Sequence, residues 1–166
     1  MWEIVPTKEQ FLLAKEKAEE IGSLNNSIRG GDGYLIGCLA EIVCADKLGW
    51  SLSNTYDYDC VCGEFKIDVK TKERGVPPRG NYFASVADYN TTQKCSHYAF
   101  CSTIGKGTVF ILGIIDKEEF YDKATFFKKG DYDPNSSTTD AFYFTADCYN
   151  LEYSKLRQIG SEPILH

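Results

Sequence analysis

The sequence is short of the residues that most often announce a metal centre or an oxidising compartment. It holds two histidines, His97 and His166, and seven cysteines (38, 44, 60, 62, 95, 101 and 148) that form no CxxC pair. Structural zinc needs closely spaced ligands, so a zinc site is not expected. The odd cysteine count, and the apolar or strand-like setting of each, argue against a disulfide framework; they read as reduced, small core residues. No apolar run is long enough to span a bilayer, and MWEIVPTKEQ lacks a basic stretch ahead of an apolar one. A soluble, cytoplasmic chain with no membrane contact is therefore expected. GxSxG, Walker A and GxGxxG patterns are all missing, which removes the enzyme classes that depend on them. Basic residues are also scarce, 18 Lys and Arg against 24 Asp and Glu, a net charge of −6. A nucleic-acid partner would then require a local basic patch or a bound cation, because phosphate binding ordinarily leaves a basic footprint.

What is present fits one domain of mixed α/β class. The chain has 166 residues, 43% of them apolar, enough for a sizeable core. Pro6 precedes Thr7-Lys8-Glu9-Gln10, a capping-box pattern, and Phe11, Ala14, Ala18 and Ile21 follow at helical spacing with Gly22 as a stop. A loop over 23–33 and a second helix over 34–48, closed by Gly49, come next. From Tyr56 the period changes to two, which predicts strands over 56–61 and 65–72 around a Cys62-Gly63-Glu64 turn. Further strands are expected over 82–87, 97–103, 108–115 (TVFILGII, the most apolar run, hence central) and 141–144. Residues 74–81 and 131–140 read as loops, and 146–158 as a weakly patterned helix.

The stretch FKIDVKTK, residues 65–72, alternates Phe65, Ile67, Val69 and Thr71 with Lys66, Asp68, Lys70 and Lys72. It reads either as a solvated sheet face or as a place where an acid and an amine are held together. In YDYD, Asp57 and Asp59 share a face of their strand. With Gly63-Glu64 as the turn, Asp59 lies opposite Asp68 and Asp57 opposite Lys70; with Cys62-Gly63, Asp57 faces Asp68. Opposed like charges destabilise a sheet, and a divalent cation would remove that penalty. Glu41 falls on the apolar stripe of the second helix with Tyr34, Cys38, Ala45 and Leu48. It either snorkels, meets an arginine, or points across the core toward the hairpin.

Glu41 within GCLAEIVCADKLG, then YDYD, then a hairpin ending in IDVKTK together resemble the PD-(D/E)xK nuclease superfamily. The resemblance runs loosely from about residue 30 to 115, and takes in the acidic helix start Asp116-Lys117-Glu118-Glu119. It implies a restriction-endonuclease-like α/β fold, a central mixed β-sheet flanked by helices. It also implies a Mg²⁺-dependent (or Mn²⁺-dependent) deoxyribonuclease, endonuclease rather than exonuclease. Glu41, Asp59, Asp57, Asp68 and Lys70 would carry catalysis, and Glu41, Asp59, Asp57, Asp68 and Val69 would hold the metal. Asp59 is preferred to Asp57 as the first ligand. No proline precedes the first Asp, and Asp rather than Glu stands at the second acidic position. Lys66, Lys72, Arg74 and Arg79 give the one local excess of basic residues; the last three and Gln93 are the expected DNA contacts, although Gln93 and Tyr98 do not match the QxxxY spacing of one branch. His97 reads as structural. The size fits a small phage-type or repair-type nuclease, or a homodimer that cuts both strands. The alternative is a nucleic-acid-binding or protein-interaction module that keeps the fold without cleavage.

Overall fold

Thr7 and Gln10 cap one another. The Gln10 N–H donates to Thr7 Oγ1 at 3.2 Å, and the Thr7 N–H to Gln10 Oε1 at 2.9 Å, so helix α1 (Lys8–Asn25) begins where the capping box predicts. It continues through Gly22 instead of stopping there. Glycine weakens a helix by only about 1 kcal/mol relative to alanine, and Phe11, Ala14, Ala18 and Ile21 pack into the core beside helix α2 (Asp32–Leu48). Gly49, at φ +68°, ends α2, and the Trp50 N–H reaches back to the Ala45 carbonyl at 3.0 Å. The computed structural model describes residues 1–25, 32–53, 55–136, 139 and 141–159. Parts of the loops expected over 23–33 and 131–140 (26–31, 137, 138 and 140), and His166, lie outside them.

Among the described residues, nine strands and a third helix complete the order: β1 (Trp2–Ile4), β2 (Ser51–Leu52), β3 (Cys60–Cys62), β4 (Phe65–Arg74), β5 (Phe83–Ala87), β6 (His97–Ile104), β7 (Thr108–Asp116), α3 (Lys117–Lys123), β8 (Thr125–Phe127) and β9 (Cys148–Glu152). The main sheet runs β1-β7-β6-β4-β3-β2, and a smaller one runs β5-β9-β8. Among the described residues only β4 and β6 pair in parallel, so the main sheet is mixed. Asp116 caps α3 by accepting from the Glu118 and Glu119 N–H groups, as the acidic helix start predicts.

Three expectations need correction. The strand placed over 56–61 begins only at Cys60. Residues 141–144 form no named strand; Tyr143 makes a single bridge to Tyr132. The helix expected over 146–158 is instead β9 followed by a short 3-10 turn over 153–155. Strand β9 pairs with β5 on one side and β8 on the other, and these long-range bonds override a weak local helical pattern.

The core lies on both faces of the main sheet. Ile67, Val69, Ala99, Cys101, Val109 and Ile111 face α1 and α2. Tyr98, Phe100, Phe110, Leu112 and Ile115 face α3 and the smaller sheet, meeting Phe120, Val86 and Leu151. Gly113 admits the chain segment that crosses β7 on this side: a Cβ there would sit 2.7 Å from Leu156 Cβ and 2.8 Å from the Arg157 carbonyl oxygen. Among the described residues no helix is long and apolar enough to cross a membrane.

Candidate active site

Strand β3 is short, and that brevity makes the site. Cys60 pairs with Ile67, the register with Gly63-Glu64 as the turn, which leaves Asp59 beside Asp68 just past the end of the pairing. The Asp59 N–H still donates to the Ile67 carbonyl at 2.9 Å. The Val69 N–H, which a longer β3 would have paired, donates to Asp59 Oδ2 at 2.7 Å. A carboxylate thus takes over a strand's hydrogen bond at the edge of β4.

Asp68 and Lys70 lie on the face of β4 turned away from α1 and α2. This face is not solvated at Asp68, which is 3% exposed. Asp68 Oδ1 accepts from Gln93 Nε2 at 3.2 Å. Its Oδ2 lies 2.6 Å from the Lys70 ammonium, but out of line, so this buried oxygen has a counter-charge and no aligned donor. Lys70 Nζ donates to Gln93 Oε1 at 3.0 Å, and Gln93 Nε2 also donates to the Tyr56 carbonyl at 3.0 Å. One buried amide therefore grips both the acid and the amine.

Glu41 approaches from α2 and meets a basic partner the sequence reading did not name. Its Oε2 lies 2.5 Å from Lys17 Nζ of α1, with side chains 13% and 16% exposed respectively. Lys17 sits on the same helical stripe as Ala14, Ala18 and Ile21, so it mirrors Glu41: each is a charge on an apolar stripe. That phase was the signal that could have paired them. Lys17, Glu20, Glu41 and Asp59 line a pocket of about 230 Å³ together with Ile21, Ser53 and Thr55.

The groups sense one another. Burial, then the charges of Glu41 and Asp68, push the Asp59 carboxyl up to about 8, against the pull of the Val69 N–H and Lys70. Burial also raises Glu41, opposed by Lys17, and Glu41 feels Asp68 and Lys70 as well. Burial lowers the Lys17 ammonium, but the charge and hydrogen bond of Glu41 outweigh it and hold Lys17 above its ordinary value. Three carboxylates are hard oxygen donors of the kind Mg²⁺ or Mn²⁺ takes, and Asp68 Oδ2 is buried with the Lys70 ammonium beside it but no aligned hydrogen bond. The donor chemistry of these side chains suits such a cation. Among the described residues no three His, Cys, Asp or Glu side chains are gathered as a ready ligand set; ammonium groups hold Glu41 and Asp68 instead.

The other expected site residues divide. Asp57 does not face Lys70: its Oδ1 accepts the Lys94 N–H at 3.1 Å, which steadies the segment bearing Gln93. Lys117, unforeseen, steadies it from the other side by donating to the Thr91 carbonyl at 2.9 Å and to the Gln93 carbonyl. Val69 gives its N–H to Asp59 and its side chain to the helix-side core. Lys72 and Arg74 lie further along β4: Lys72 Nζ is 5.2 Å from the Phe142 ring centre, and the Arg74 guanidinium is 4.4 Å from that of Tyr82. Both border a separate pocket of about 400 Å³. Arg79 is exposed and stands apart, beside Met1, Leu112 and Gln158. All seven cysteines are free thiols, and all but the half-buried Cys62 are buried. His97 is buried against Phe65.

No family model matches this chain, and no curated protein matches it.

Proposed function

We propose that this chain is a Mg²⁺- or Mn²⁺-dependent deoxyribonuclease of restriction-endonuclease-like fold that hydrolyses DNA phosphodiester bonds, acting as an endonuclease rather than an exonuclease. The observation that carries the reading is the grouping of Asp59, Asp68, Lys70 and Gln93 where β3 leaves the edge of β4, with Asp68 Oδ2 buried and lacking an aligned donor.

Glu41, Asp59, Asp68 and the Val69 carbonyl would hold the cation, which when bound relieves phosphate charge and lowers the pKa of water. The remaining work falls to the chain. Gln93 fixes the side chains of Asp68 and Lys70 together, so neither spends rotamer freedom when substrate arrives. Lys70 presents its ammonium beside Asp68, where it orients the attacking water and meets the charge that develops on the phosphate. The Val69 N–H sets the plane of the Asp59 carboxylate, which gives up its proton to become a ligand. Lys72 and Arg74, along the same strand, contact the DNA backbone and set its position without reading sequence.

A second reading, a binding module that does not cleave, draws on one observation: the Lys17–Glu41 and Lys70–Asp68 pairs are already neutral as they stand. Incubation with supercoiled, linear and branched DNA in Mg²⁺, Mn²⁺ or EDTA separates the two. The nuclease reading expects cleavage in either metal, none in EDTA, and none from Asp68→Asn. DNA bound yet left intact under every condition would transfer the site to the binding module.

A further inference from the structure

We infer that the pocket beside the second half of β4 takes one unpaired nucleotide of DNA, with its phosphate on Lys72 and Arg74 and its base against an aromatic ring. The inference rests on the DNA partner of the reading above, though not on cleavage. It names the class of DNA: a duplex with an unpaired nucleotide next to the candidate site.

The pocket of about 400 Å³ is walled by Lys72, Arg74, Tyr82, Phe83, Asp133 and Phe142, a size that encloses a small molecule. Lys72 and Phe83 also line a smaller pocket of about 160 Å³ that reaches Lys70, so the two follow β4 outward from the candidate site. Lys72 stands two residues, roughly 6.6 Å, along the strand from Lys70. A nucleotide held there therefore lies beside the phosphate at Lys70.

The charges in the pocket are unspent. Among the described residues neither Lys72 nor Arg74 has a carboxylate partner, and Lys72 makes no hydrogen bond. Burial, then Arg74, holds the Lys72 ammonium below its ordinary value against the pull of Asp133. Arg74 donates only from Nη2, to the Phe83 carbonyl at 3.5 Å and the Tyr153 hydroxyl at 3.3 Å. Of the two acids that border the pocket, Asp133 turns Oδ1 to the Asn135 N–H at 2.8 Å. Glu73 alternates onto the other face of β4 and is exposed. Asn135 and Ser136, on the rim, give their side-chain donors to the Asn81 and Asp133 carbonyls. Two cations against Asp133 leave one positive charge for the single negative charge of a phosphodiester.

The rings say what accompanies that phosphate. A ring holds a cation weakly, so a phosphate draws the Lys72 ammonium from its place 5.2 Å over Phe142. Phe142 is 41% exposed, and the face so uncovered suits the face of a base. A paired base keeps its faces stacked within the duplex and shows only its edges in the grooves. Such a ring meets a base face only where a nucleotide is unpaired.

Fluorescence anisotropy in EDTA at about 0.15 M salt tests this without cleavage. The probes are a continuous duplex, the same duplex with one unpaired nucleotide, and that second duplex with the unpaired base removed. The unpaired nucleotide should tighten binding by about tenfold, as one stacked base does, and removing its base should abolish the gain. Phe142→Ala should lose most of the gain, and Phe142→Tyr, which restores a ring, should keep it. Equal affinity for the first two duplexes would overturn the pocket. So would a gain that survives loss of the base, since that reports an easily bent duplex, and so would binding to none of the three. These comparisons use the wild type and decide the matter even if a Phe142 variant fails to fold. Cleavage of the same duplexes in Mg²⁺ judges the nuclease reading separately. DNA cut by a protein without the binding preference would remove the pocket alone; a preference without cutting would leave the pocket to the binding module.

Discussion

In the first half of β4, Asp68 and Lys70 sit under a buried glutamine with their charges opposed; in the second, Lys72 and Arg74 lie on aromatic rings. Both halves belong to one strand of unbroken alternation and both turn their charges to the same face. The difference comes from the neighbours. Beside the first half, β3 has ended, and Asp59 and the segment bearing Gln93 fill the gap. Beside the second stand Tyr82, Phe142 and Tyr153, whose rings favour a cation without neutralising it. Two lysines two residues apart thus stand in opposite settings, one ion-paired and one over a ring, and the strand itself does not say which is which.

Removing Lys70 tests that contrast most severely. Lys70→Ala should lower Mg²⁺-dependent cleavage by about 10²- to 10⁴-fold, because its charge acts chiefly in the transition state. DNA affinity should hardly move. Cleavage rate beside binding constant checks the split, and wild-type turnover in the variant would end the catalytic assignment.

Proton release at Asp59 should give the next largest effect. Its carboxyl titrates at about 8, against an ordinary 3.8, so between these values the metal-free folded protein holds a proton that the unfolded chain has lost. By linkage, metal-free stability falls as pH rises through that window and levels off above it. Cation affinity runs the other way, since a ligand must shed its proton: Mn²⁺ binding should tighten about tenfold per unit well below pH 8 and level off near it, about fiftyfold in all from pH 6 to 8. Urea midpoints of the stripped protein and Mn²⁺ titrations at those pH values measure both arms. Asp59→Asn should flatten the two curves.

Gln93→Leu keeps the volume and removes the grip on Asp68 and Lys70. Outer-shell changes of this kind cost about 10- to 100-fold in metal affinity or activity. An unaltered rate would show that Asp68 and Lys70 hold their places unaided.

The basic half should respond most mildly. Lys72→Ala should weaken DNA binding several-fold and reduce the slope of log affinity against log salt by about 0.9 if it meets one duplex phosphate, with turnover at saturating DNA unchanged. Arg79→Ala should do less, given its distance from both halves of the strand. A turnover defect in Lys72→Ala would erase the division between the two halves.

Much of this arrangement was legible in the sequence, and the rest was hidden for physical reasons. The capping box at Thr7, the stop at Gly49 and the acidic cap of α3 are local and appear as written. One of the two hairpin registers weighed from the alternation is the one observed, and it puts Asp59 beside Asp68. YDYD misled because its alternation is not that of a strand: Asp57 and Asp59 turn their carboxylates onto the Lys94 and Val69 N–H groups, a bond that only tertiary structure supplies. Strand β9 is fixed by partners on both sides that are remote in sequence. Lys17 was readable, since its phase on α1 matches that of Glu41 on α2, but the pairing needs both stripes considered at once.

The hydrogen bond from Val69 to Asp59 has a further consequence, for observation. Most amides in a sheet interior exchange with solvent only when the ladder opens, so they report the stability of the fold. The Val69 amide is guarded by a side chain that the proposed chemistry uses. Its exchange rate and its proton chemical shift should therefore follow the state of one carboxylate, while its β4 neighbours follow the strand. A divergence between Val69 and Lys70, whose amide turns to the β6 side, as pH or Mn²⁺ is varied would be a signal of site occupancy, read from the backbone without substrate or label.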